Sequence, residues 1–127
     1  EFEIANRASW IFRTWADLHT DQLESSFNAI FKVIQKTTNG SVIRNLSGIW
    51  YDHSYPEKYD SKVIDLCLSI LGNTNYAIAA YANLLGILKY PCKRYPELKE
   101  EVRLQAMRHP LAEETAFQKR LNEALKA

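Results

Sequence analysis

Val63-Ile64-Asp65-Leu66-Cys67-Leu68-Ser69-Ile70-Leu71 runs into Gly72-Asn73-Thr74-Asn75 and then into a second apolar run from Tyr76 to Tyr90. Both runs are apolar nearly all round at helical spacing, and the Gly-Asn punctuation between them is short. That pattern predicts a buried helical hairpin, which other helices must cover. The rest of the chain is read outward from it.

Upstream, Ile4, Ala8, Ile11, Phe12, Trp15 and Leu18 fall at offsets of three and four, which predicts an amphipathic helix over residues 3–18 with that stripe inward. Thr20 is the expected N-cap of a second helix, with Asp21 and Glu24 in its first turn. Leu23, Phe27, Ile30, Phe31 and Ile34 form its stripe, and Asn39-Gly40 is its expected stop. Val42, Ile43, Leu46, Ile49 and Trp50 fit a short helix, which Gly48 weakens by about 1 kcal/mol relative to Ala. A polar and aromatic loop follows, from Asp52 to Tyr59. Asp60 or Ser61 is expected to cap the first central helix, and Thr74 or Asn75 the second, which Pro91 should end.

Downstream, Pro96 sits near the first turn of a helix whose thin apolar face is Leu98, Val102, Gln105 and Ala106. His109-Pro110 breaks the chain, and a last helix over residues 111–126 carries Leu111, Phe117, Leu121, Ala124 and Leu125 on one side. The expectation is an all-α single domain of six to seven helices around the central hairpin. Either a compact bundle or a short stack of helical hairpins, as in α-solenoids such as HEAT or armadillo arrays, would satisfy it. The run from Tyr76 to Leu88, rich in small residues, loosely resembles the inner helices of such repeats. That likeness covers about a tenth of the chain, no fixed period accompanies it, and no family is assigned on it.

At 127 residues the chain is long enough for one domain with a real core. A net charge of +1 supplies no global field to attract nucleic acid or an anionic membrane. Residues 1–88 carry 7 basic and 9 acidic side chains and residues 89–127 carry 9 and 6, a mild basic skew toward the end. Two cysteines make no disulfide framework, which favours a reduced, intracellular and cytoplasmic chain, although a Cys67–Cys92 bridge stays open and Cys92 is expected in a loop. Asn39-Gly40-Ser41 and Asn45-Leu46-Ser47 are glycosylation triplets of the kind chance supplies. No apolar run reaches the roughly 18 residues a membrane span requires, and the absence of an initial Met reads as a piece of a larger protein.

No Gly-rich phosphate loop, metal-spaced cysteine pair, Gly-x-Ser-x-Gly elbow or His-Glu-x-x-His is present, so no cofactor, metal or catalytic residue is assigned. Asp17, His19 and Asp21 cluster at a helix junction, but alternate residues in a turn point apart, and capping explains them better than a metal. Trp50, Tyr51, His53, Tyr55 and Tyr59 are the densest amphipathic group outside the expected core. Such side chains bury much area at little entropic cost, which makes them the leading partner-binding candidates, against the plainer reading that they cover the core. Lys89, Lys93, Arg94, Lys99, Arg103, Arg108, Lys119 and Arg120 form an alternative face for nucleic-acid phosphates, diluted by interspersed glutamates. Arg103 with His109 permits a third reading as a small helical ribonuclease-like hydrolase. The sequence therefore points first to a non-enzymatic protein-interaction scaffold, with nucleic-acid binding second.

Overall fold

The computed structural model describes residues 2–127, and among them no strand occurs. Eight α-helices follow in order: α1 Phe2–Leu18, α2 Leu23–Lys36, α3 Gly40–His53, α4 Asp60–Leu71, α5 Ile78–Ile87, α6 Lys89–Arg94, α7 Leu98–Met107 and α8 Thr115–Leu125. Helices α5 and α6 share Leu88 as their joint, so they form one kinked rod. Pro91 sits in the first turn of α6 and is buried there. Its missing N–H would have bonded the carbonyl four residues back, and the rod bends at that gap instead of ending.

Packing sorts the helices into two layers. In one, α1 lies on α3, α3 on α5, and α5 on α8. In the other, α2 packs under α3, α4 under α5, and α7 under α8, with α4 touching α7. Each pair is a helical hairpin, and the hairpins recur at a near-constant interval. Helices α2, α4 and α7 begin at residues 23, 60 and 98, intervals of 37 and 38 residues. Helices α1, α3, α5 and α8 begin at residues 2, 40, 78 and 115, intervals of 38, 38 and 37. Of the two architectures open from sequence, this is the stack.

Helix α5 is the middle of the stack. It is enclosed by α3, α4 and α8, and Tyr81, Leu84, Leu85 and Ile87 are all fully buried. Each such aliphatic side chain contributes about 1.5–3 kcal/mol by leaving water. The helix starts at Ile78, two residues later than its apolar run. The Tyr81 hydroxyl donates to the Asn73 carbonyl and accepts the Tyr76 N–H at 3.0 Å, which holds the preceding segment as a loop.

Several local expectations are corrected. Neither Thr20 nor Asp60, Ser61, Thr74 or Asn75 caps a helix: Thr20 opens a 3-10 turn over Thr20–Gln22, Asp60 and Ser61 lie inside α4, and Ala77 precedes α5. Asn39 does not stop α2 but starts α3, its side-chain oxygen accepting the Ser41 and Val42 N–H groups at 3.0 and 3.4 Å. The expected loop over residues 52–59 is shorter, because α3 continues to His53 and a 3-10 turn covers Glu57–Tyr59. Between them Ser54 takes φ 66° and ψ −163°, a region that L-residues occupy only under strain, and this turns Tyr55 back into the core. The last helix begins at Thr115 rather than 111, after a turn that carries Leu111 and Ala112 against the core. Cys92 is not in a loop: it is fully buried in α6, and both cysteines are free thiols. Burial raises the pKa of each, that of Cys92 to about 11, so neither is a ready thiolate.

The largest correction concerns α1. Its predicted inward stripe is split: Ile4, Ile11 and Leu18 are 75%, 60% and 77% exposed. The helix meets α3 instead through Ala16, Ser9 and the partly buried Ala5, Asn6, Phe12 and Arg13. This contact is a polar seam. Asn39 Nδ2 donates to Asn6 Oδ1 at 2.7 Å, and Asn45 Nδ2 donates to Ser9 Oγ at 3.0 Å. Both asparagines of the glycosylation triplets are thus buried and committed, out of reach of a glycan.

Candidate interaction surface

The aromatic cluster expected at the surface lies largely in the core. Trp50 is 2% exposed and Tyr55 9%, so neither offers a face to a partner. Phe27 of α2 organises them, stacking on Trp50 at 4.8 Å and on Tyr59 at 3.9 Å between ring centroids. Tyr51, His53 and Tyr59 are half-buried, and each is engaged inside the fold. The plainer reading, that these rings cover the core, is the one the coordinates match for Trp50 and Tyr55. The reason is tertiary: Trp50 falls on the buried α3 stripe of Val42, Leu46 and Ile49, and α2 lays Phe27 against it.

Tyr55 also anchors a buried ionic group. Its hydroxyl donates to Asp60 Oδ1 at 2.6 Å, and Arg94 grips both carboxylate oxygens, with Nε to Oδ2 at 2.7 Å. Burial alone would raise the Asp60 pKa, but the hydrogen bonds from Arg94 and Tyr55 outweigh it and hold the carboxyl below its ordinary value. Arg94 is therefore a structural cation, tying α6 to the start of α4.

A second polar group joins α3, α6 and α8. Glu123 accepts from the Tyr51 hydroxyl at 2.8 and 2.9 Å and from Lys89 at 3.1 Å. Arg120 donates to the same hydroxyl and to Glu123. The Tyr51 ring is sandwiched by the two cations, Lys89 at 4.1 Å and Arg120 at 4.2 Å from its centroid. Gly86 makes room for it, since a Cβ there would stand 2.4 Å from Tyr51 Cε1. Gly86→Ala should cost about 1–2 kcal/mol in urea unfolding, overpacking that exceeds the helix-propensity gain of about 1 kcal/mol. In a Tyr51→Ala background the same substitution should stabilise. A cost that persists without the ring would locate the clash elsewhere.

Of the eight basic residues in the expected nucleic-acid face, five are engaged within the fold. Lys89 and Arg120 serve Glu123, Arg94 serves Asp60, Arg103 pairs with Glu100, and Lys99 donates to the main-chain oxygen of Ala127. Lys93, Arg108 and Lys119 are exposed and form no ion pair among the described residues. Arg103 and His109 do not meet at an open cleft. Arg103 lies on the outer side of α7, whereas His109 is 6% exposed, its ring 4.2 Å from Tyr81 and 5.1 Å from Phe117. Its Nδ1 accepts the Leu111 N–H at 3.1 Å, and burial lowers its pKa against the opposing pull of the Asn73 carbonyl. It reads as a neutral core histidine.

Asp17, His19 and Asp21 do not converge. His19 stacks on Trp15 and its Nδ1 meets the Trp15 carbonyl oxygen, while Asp17 takes His53 Nε2 at 2.7 Å. Asp52 and Arg13 complete that cluster at 3.3 Å, and together they clasp the end of α1 to the end of α3. No helix among the described residues is long and apolar enough to cross a membrane.

What remains open is an apolar surface that sequence reading did not single out. Helices α1 and α2 splay over α3, leaving a groove of about 300 Å³. Ala5, Ala8 and Phe12 form one wall, Ala29, Ile30 and Val33 the other, and Val42 with Leu46 the floor. Ile4, Ile11 and Leu18, seven residues apart, extend the α1 wall outward as a stripe. The signal was present in the sequence as the width of the α1 stripe, broader than one neighbour can cover.

No curated protein and no solved structure matches the chain. Residues 1–123 match the family described as HEAT repeat domain, a span that takes in every hairpin of the stack. Paired helices recurring every 37 or 38 residues in two layers are what that match requires of the structure, and the chain belongs to the HEAT repeat domain family.

Proposed function

We propose that this domain is a non-enzymatic protein-interaction scaffold whose contact surface is the apolar face left to solvent by α1 and α2. The family supports the class of function, since helical-repeat stacks commonly serve as extended surfaces for other proteins. The observation that carries the site is the exposure of Ile4, Ile11 and Leu18 beside an apolar groove. Single exposed apolar residues need no explanation, but a contiguous stripe and groove mark an interaction site. The aromatic group around Trp50 supports the scaffold from inside rather than contacting the partner.

The test is capture from lysate by the wild-type chain and an Ile11→Asp variant, at about 0.1 M and about 0.5 M salt, a range that screens phosphate contacts. A protein retained at high salt by the wild type and lost by the variant is the expected result. Ile11 is exposed, so the substitution leaves folding intact. Nucleic acid captured at low salt and released at high salt would overturn the reading and direct attention to Lys93, Arg108 and Lys119.

A further inference from the structure

His109 stands at the turn between α7 and α8, and its backbone and ring together build that turn. Its N–H bonds the Ala106 carbonyl at 3.0 Å, and its own carbonyl accepts the Ala112 N–H at 3.1 Å. Pro110 follows and has no N–H to give, so the next donor, that of Leu111, folds back onto the ring and meets Nδ1 at 3.1 Å. A ring nitrogen that accepts carries no proton, which puts the proton of the neutral imidazole on Nε2. Nε2 is buried without a hydrogen-bond partner. The Asn73 carbonyl favours a charge on the ring, but it already accepts the Tyr81 hydroxyl.

The surroundings leave no place for a charge. Tyr81 of α5 meets the ring edge-on, and Phe117 of α8 stacks on it. Tyr81 is the titratable group that faces the ring from α5, and burial raises its pKa, so it supplies no negative charge. No carboxylate among the described residues pairs with the ring, and Arg108, Glu113 and Glu114 on its own turn are exposed. A proton on Nδ1 sets its N–H against that of Leu111, donor to donor, and leaves a cation between two aromatic rings. We propose that His109 is an acid-sensitive latch: the neutral ring pins the α7–α8 turn against α5, and proton uptake releases that turn while the rest of the stack stays folded. Burial lowers the His109 pKa below its ordinary 6.5, so the opened turn takes up the proton first as pH falls. The latch is therefore fully closed above 6.5 and loosens as pH drops toward the folded-state value. Asp60 and Glu123 are held below 3.8 and 4.5, so both stay ionised between about pH 7 and about pH 5. The latch is independent of the contact surface proposed above.

The test is amide hydrogen exchange of the 127-residue chain between about pH 7 and about pH 5, each rate taken relative to an unprotected amide at the same pH. In the wild type, protection of Leu111 and Ala112 should fall by about tenfold per pH unit below 6.5 until the folded-state value is reached, while protection across α3 holds. His109→Asn puts Oδ1 where Nδ1 stands, so it still accepts from Leu111 but takes up no proton, and protection of Leu111 should then be flat with pH. The wild-type ring, followed by its nitrogen NMR shifts, should carry its proton on Nε2 at about pH 7 and titrate with a midpoint below 6.5. Leu111 protection that stays flat in the wild type, falls equally in His109→Asn, or falls together with that of α3 would overturn the latch. So would a ring midpoint at or above 6.5. The wild-type exchange and ring titration decide between these outcomes even where His109→Asn fails to fold.

Discussion

Trp50→Ala should cost the domain about 3–5 kcal/mol, the range for removing a fully buried aromatic side chain. Trp50 is 2% exposed and lies against Phe27, which in turn stacks on Tyr59, so the truncation leaves a cavity where three helical segments meet. Against a total stability of about 5–15 kcal/mol this is a large share. The measurement is urea unfolding followed by circular dichroism, with the midpoint falling and the slope unchanged. A loss below about 1 kcal/mol would mean that the ring is replaceable, as a surface anchor would be. Any loss of partner binding by this variant must therefore be read against its folded fraction, and Ile11→Asp is the cleaner probe of the surface.

Arg94→Met is expected to cost about 3–5 kcal/mol at pH 7, because it leaves the Asp60 carboxylate buried with only the Tyr55 hydroxyl as partner. The pH dependence identifies the cause. In the wild type the Asp60 pKa is depressed from 3.8, so the unfolded chain takes up its proton first as pH falls. The stabilisation from the ion pair is therefore full above about pH 4 and is lost as pH drops through the folded value. The gap between wild type and Arg94→Met should narrow from pH 7 to pH 3. Asp60→Asn in the Arg94→Met background should recover much of the loss at pH 7, since a neutral amide still accepts from Tyr55 and leaves no unpaired charge. A gap that stays constant with pH would show that Arg94 acts through packing of its stem rather than through charge.

Much of the fold was legible because helix signals are local. The 3.6-residue spacing of Leu23, Phe27, Ile30 and Ile34 placed α2, and the run from Val63 to Leu71 placed α4. Caps were read less well, since a polar residue near a helix start competes with tertiary partners. Asp60, expected as a cap, is held by Arg94 from 34 residues away. The repeat was legible only as the loose likeness of the run from Tyr76 to Leu88 to inner helices of α-solenoid stacks, without its period. Its period of 37 or 38 residues belongs to helix starts, not to residue identities, and each hairpin buries a different set of side chains.

The sequence by itself determined the all-α class, the presence and order of most helices, and α5 as the chain's most apolar element. Periodicity suffices for this, because an apolar face must be covered by something. Which neighbour covers it is a matter of distant contacts, and only the tertiary structure decided that. It set α1 on α3 through Ser9, Ala16 and the asparagine seam, leaving Ile4, Ile11 and Leu18 outside. It also drew Trp50 and Tyr55 inward, because Phe27 of α2 stacks on Trp50 and the strained turn at Ser54 carries Tyr55 back toward Arg94. The surface that remains for a partner is thus the residue of the packing: the α1 stripe was broader than one neighbour could cover, and only the packing decided which part of it stays outside.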